Sequence, residues 1–148
     1  MFDAETSGRW RRPVLRVGLG FLALSQGVIG AWALLGPRTF FNHFPGTALG
    51  WVALLPPYNE HLVRDVGGLT LALGVVLAAA AVRADAWWAR TAVAAFAVFA
   101  VPHTLFHSVH LDGFPAGDAL AQQAGFALQL LVALAVLVAV RRPRPGLR

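Results

Sequence analysis

Cysteine is absent from the 148 residues, which excludes disulfides, thiolate metal sites, iron–sulfur clusters and CxxC redox chemistry. Lysine is absent too, so all 12 cations are arginine. Charged residues make up only 13% of the chain, about half of the roughly 25% found in soluble domains. No P-loop, Rossmann glycine turn or serine nucleophile elbow is present. Gly18-Leu19-Gly20 falls inside an apolar run and reads as packing. No internal repeat breaks the chain, which is long enough for one domain over 1–148.

What fills the space is apolar. Residues of the AVILMFWYC set account for 57%, more surface than a soluble globule of this size could hide. Uncharged runs at Val17–Leu35, Val66–Val82 and Ala119–Val140 hold 19, 17 and 22 residues, near the ~20 needed to cross a hydrocarbon core. A fourth stretch, Trp87–His110, is long enough but carries Pro102 and three histidines in its last third. An even number of spans matches the flanking charges, so the expected fold is all-α: a four-helix transmembrane bundle with spans at about 14–35, 62–82, 87–110 and 118–140. The scarcity of Lys beside abundant Ala, Val, Gly and Arg fits a GC-rich bacterial genome, hence a bacterial inner membrane.

Charge sidedness sets the orientation. Arg9, Arg11, Arg12 and Arg16 precede the first span, Arg83 and Arg90 frame the middle link, and Arg141, Arg142, Arg144 and Arg148 follow the last. Only Arg38 and Arg64 lie on the other side, with Glu60, Asp65, Asp112 and Asp118. The positive-inside rule therefore predicts both termini and the middle link in the cytoplasm, with Trp10, Trp87 and Trp88 at the inner interface and Trp51 near the outer one. The basic pI near 11.5 reads as membrane anchoring and not as a nucleic-acid footprint. Ala31-Trp32-Ala33 has the shape of a signal-peptidase site, but the preceding apolar run exceeds the roughly 7–15 residues of a signal core, and the first span is expected to be retained. The outer segment Gly36–Asn59 holds Pro37, Pro45, Pro56 and Pro57 with Phe40, Phe41, Phe44, Trp51 and Tyr58. That density predicts a lid lying on the membrane surface.

Two polar stretches stand out, Pro57–Asp65 opening the second span and Pro102–His110 closing the third. His103, His107 and His110 follow i, i+4, i+7 spacing and share one helical stripe. His61 and Asp65 share a face, with Glu60 and Arg64 on the next. A short link makes the second and third spans antiparallel neighbours, and at equal rise the two sets reach the same depth. Gly67, Gly68 and Gly74 allow the second span to approach a neighbour closely.

Two functions follow from these residues. In the first, Glu60, His61, Arg64, Asp65, His103, His107 and His110 form one extracytoplasmic polar site. There His61, Asp65, His103 and His107 ligate a divalent transition metal, Glu60 offers an alternative carboxylate, and Arg64 orients the set. Haem or quinone between the second and third spans is a variant. In the second, these groups are solvated at the interface: Glu60 pairs with Arg64 and His61 with Asp65 to start a helix. The protein is then an accessory or scaffold subunit with a membrane redox partner or a second copy of itself. A transporter ranks third, since four spans offer little pathway. Ser25, Gln26, Gln122, Gln123 and Gln129 read as interhelical hydrogen-bond formers.

Size, four spans and the stretches Pro57–Asp65 and Pro102–His110 resemble DoxX-like small membrane proteins. The resemblance implies a membrane-embedded bundle and, from redox-linked members of that group, a respiratory-type partner. It assigns no residue a catalytic role.

Overall fold

The computed structural model describes residues 10–46, 49–55 and 57–141. Arg9, Pro56, Arg142, Arg144 and Arg148, used above for charge and loop composition, lie outside the described residues. Among the described residues the elements are α1 (Arg11–Leu35), α2 (Pro37–His43), a 3-10 turn (Trp51–Leu54), α3 (Glu60–Arg83), α4 (Ala86–Val109) and α5 (Ala116–Ala139). The four long helices are each long and apolar enough to cross a membrane. Val17, Leu69, Val98, Val109 and Leu120 are all more than 70% exposed. Large aliphatics facing outward in every long helix describe a surface made for lipid rather than water.

Local chemistry fixes the ends. Pro37 opens α2 at its first turn, where a missing N–H costs nothing. Asn59 caps α3 by accepting from the Leu62 N–H at 3.1 Å, and Asp85 caps α4 by accepting from the N–H groups of Trp87 and Trp88, both at 3.0 Å. Only Ala84 and Asp85 separate α3 from α4. Ala84 takes a left-handed conformation with φ of 51°, so the chain reverses at once and the two helices run antiparallel. α4 continues helically through Pro102.

The helices form a closed ring in which α1 touches α3 and α5, and α4 touches the same two. The most extensive of these interfaces joins α1 to α3, and glycine is the reason. A Cβ on Gly30 would stand 2.5 Å from the Leu71 amide nitrogen, and one on Gly67 would stand 2.5 Å from that of Leu34. A Cβ on Gly74 would meet the Gly27 amide nitrogen at 3.1 Å. Backbone therefore packs on backbone along this seam. Gly68 has nothing within 4 Å of such a Cβ and faces away. The close approach allowed by the glycines of the second span is made to the first span.

Arginines bind one end of the ring together. Arg11 donates through Nε to the Ala139 carbonyl at 2.7 Å and through Nη2 to that of Arg141 at 3.0 Å. Arg90 donates to the Val140 carbonyl. These carbonyls end α5 and have no partner within their own helix, so cations from α1 and α4 suit them electrostatically. The tight core occupies the same half: Leu15, Leu19, Leu22, Leu77, Ala80, Ala89, Ala92, Val136 and Ala139 are buried there. The opposite half is less filled.

Candidate functional site: a cavity lined by the aromatic connecting segment

A cavity of about 330 Å³ opens in that less filled half, at the small end of the roughly 300–1,000 Å³ typical of small-molecule sites. All four long helices contribute to it, and Phe40, Phe44, Trp51, Val52 and Leu55 of the connecting segment also line it. The connecting segment is held by its own aromatic contacts. Trp32 meets Phe40 edge-on with centroids 5.8 Å apart, Phe40 lies 4.9 Å from Phe44, and Phe44 lies 6.4 Å from Trp51. The Trp51 N–H closes the loop onto the Phe44 carbonyl at 2.8 Å.

His103 and His107 of α4 are both in the wall. Their rings meet edge-on at 4.5 Å, as i, i+4 spacing requires. His103 stacks on Phe99 at 4.9 Å and meets Phe126 of α5 at 5.2 Å. His107 is buried, and its backbone carbonyl accepts from Gln123 Nε2 at 3.2 Å. Gln123 also accepts from Ser108 at 2.9 Å, which locks α4 to α5.

The other sequence-predicted residues lie elsewhere. His110 follows α4, stacks on Phe106 at 4.0 Å and donates through Nδ1 to the Phe106 carbonyl at 2.8 Å. His61 and Asp65 face each other at 3.3 Å, with 86% and 55% of their side-chain surfaces exposed, and neither lines the cavity. Among the described residues no three His, Asp or Glu side chains converge as a metal-ligand group. The glycine seam is the physical reason for the division: it draws α3 onto α1, and the outward face carrying His61 and Asp65 has no imidazole opposite it.

Glu60 and Arg64 perform a structural task. Arg64 donates to Glu60 Oε1 from Nε at 2.9 Å and to the Leu34 carbonyl from Nη1 at 2.6 Å. It thereby ties the end of α1 to the start of α3, as Arg11 and Arg90 do at the other end. Tyr58 extends the joint, donating to Glu60 Oε2 at 3.2 Å beneath the Arg38 guanidinium, 3.7 Å from the ring centroid. Desolvation, together with the Glu60 carboxylate, pushes the Tyr58 hydroxyl above its usual value.

The glutamines divide the same way. Gln26 donates from Nε2 to Gln129 Oε1 at 3.0 Å across α1 and α5, as expected of interhelical hydrogen-bond formers. Gln122 reaches across from α5 to the His107 ring of α4. Four buried side-chain atoms among the described residues lack a hydrogen-bond partner: Gln26 Oε1, Gln122 Oε1, His107 Nδ1 and Trp51 Nε1. All four belong to residues lining this one cavity. Gln122 approaches the His107 ring without making a hydrogen bond of ordinary geometry. Gln122 and His107 are neighbours that can satisfy each other, which leaves Gln26 Oε1 and Trp51 Nε1. An unpartnered buried polar group costs about 1–3 kcal/mol, so these two mark a place suited to a ligand with polar groups. Sequence reasoning missed Gln122 and Trp51 as site residues. The available signal was helical spacing, since Gln122, Phe126 and Gln129 share the α5 stripe that faces His103 and His107.

Comparison of the chain with protein-family models, with curated proteins and with solved structures returns no match.

Proposed function

We propose that this chain is a multi-pass inner-membrane protein that binds a small molecule in the aromatic cavity between its four long helices. The observation that carries the reading is that Gln26 Oε1 and Trp51 Nε1, buried and without a partner, both belong to residues lining that cavity beside the His107–Gln122 pair. His103 and His107 supply imidazoles that can donate or accept, and the connecting segment supplies the indole N–H of Trp51. By the positive-inside rule the arginine-bound end, with both termini, faces the cytoplasm, and the cavity lies in the outer half of the bilayer. The DoxX-like resemblance supports the same setting and a respiratory-type neighbour. A divalent metal would find only the imidazoles of His103 and His107, with no carboxylate to offset its charge.

Mass spectrometry of the protein extracted from its own membranes tests the reading. A small molecule should copurify with the wild type and be lost from Ala100→Phe, which fills the lumen from a buried wall position. An empty wild-type protein extracted under the mildest conditions would refute it. The accessory-subunit reading is favoured by one observation, the exposed His61–Asp65 pair, which serves no internal contact beyond itself. Crosslinks from that pair to a second protein would support it.

A further inference from the structure

The cavity's chemistry narrows the class of its ligand, and this step rests on the reading of the cavity as a binding site. No Asp, Glu or Arg side chain lines it. A charged occupant would meet no counter-ion in a place where charge is costly, so the occupant is uncharged. Phe96, Phe99 and Phe126 supply flat walls, and rings pack best on rings in offset or edge-on contact. The body is therefore aromatic.

The polarity of the free groups sets the rest. Gln26 commits one N–H to Gln129 and leaves its carbonyl oxygen without a partner. An amide oxygen can only accept, and the side chain is 2% exposed, so water does not reach it readily. Gln122 Oε1 is also free, but a small turn of the neighbouring His107 ring would satisfy it. Gln26 has the deeper position, nine residues before the end of α1, roughly 13 Å below that end at ~1.5 Å per residue. Gln26 itself lines the cavity, so with the Gln129 bond in place its unpartnered oxygen stands at the wall of the lumen.

We infer that the cavity takes an uncharged hydroxyl-bearing aromatic molecule of the phenol class, whose O–H is donated to Gln26 Oε1. The matched pair para-fluorophenol and para-fluoroanisole tests this, because methylation removes the donor and little else. Fluorine NMR titration of the full-length protein in detergent, with empty micelles as reference, reads both affinities. The phenol should bind about tenfold more tightly than its ether. Gln26→Leu should abolish that preference, Gln122→Leu should retain it, and Ala100→Phe should lose both ligands. Should Gln26→Leu not fold, the wild-type preference and its retention in Gln122→Leu still decide. Equal wild-type affinities that Ala100→Phe removes would overturn the phenol class and leave the cavity reading standing. A preference that Gln122→Leu abolishes would overturn the role of Gln26. No binding of either compound above empty micelles would overturn the cavity reading, and this inference with it.

Discussion

Gln26 on α1 and Gln129 on α5 share one hydrogen bond of 3.0 Å, in which the Gln26 amide donates and the Gln129 carbonyl accepts. Both residues line the cavity, so the bond joins two helices and at the same time determines which face of Gln26 remains free. In lipid, a bond of this kind is worth about 0.6 kcal/mol on average and about 1.7 at most, because partners are also found in the unpacked state. A double-mutant cycle of Gln26→Leu and Gln129→Leu, followed by denaturation in mixed micelles, should give a coupling inside that range. A coupling near zero would mean that the two amides do not meet.

The glycine seam gives a sharper contrast. Gly30→Ala and Gly67→Ala each place a methyl within 2.5 Å of a backbone nitrogen in the facing helix, and neither backbone can yield without the helices parting. Overpacking of this kind costs about 1–3 kcal/mol. Gly68→Ala, with open space around its Cβ, should be neutral or stabilising by up to about 1 kcal/mol from helix propensity. Thermal unfolding in detergent should place the first two variants well below wild type and the third at or above it.

This seam also shows what was legible in the sequence. Uncharged run length and flanking charge give the four long helices: the expected 14–35 and 87–110 compare with Arg11–Leu35 and Ala86–Val109. Helical spacing correctly groups His103 with His107. The partner of each glycine face is not legible, because close approach is a property of two surfaces and a sequence displays one. With α3 drawn to α1, His61 and Asp65 remain outside, and the imidazoles of His103 and His107 are met from α5 by Phe126. Ser108 is a second case. Its hydroxyl reaches Gln123 on α5, a contact that no i, i+4 rule within α4 reveals.

The outer joint distinguishes residues that look alike in sequence. Arg64 closes the exposed end of α1 through the Leu34 carbonyl while holding Glu60, whereas His61 contacts only Asp65. Arg64→Met should lower the melting temperature and His61→Ala should leave it unchanged, as expected for a largely solvated pair. Equal loss in both variants would show that the joint does not depend on Arg64.

Orientation can be measured directly. Reporters fused to either terminus should read as cytoplasmic, and one inserted between Gly36 and Leu55 should read as external, because the arginine-bound end carries Arg11, Arg83, Arg90 and Arg141. An external C-terminus would place the cavity in the inner half of the bilayer.

Metal dependence is the remaining test. Zinc takes four ligands in structural sites and three protein ligands in catalytic ones. A cavity offering two imidazoles and an amide oxygen would leave the ion's charge uncompensated in an apolar surround. Binding to the folded state alone would raise its stability through linkage, so chelation would lower the melting temperature of any metal-loaded protein. Treatment with EDTA is therefore expected to leave the melting temperature of freshly extracted protein unchanged. Added Zn²⁺ should stabilise wild type and His107→Ala equally, through whatever exposed imidazoles it finds. Under EDTA, His61→Ala and Asp65→Ala should behave like wild type, since neither residue lines the cavity. A chelator-sensitive transition that His103→Ala or His107→Ala abolishes would instead assign the imidazole pair to an ion. The ligand of the cavity would then be a metal complex and not a free organic molecule.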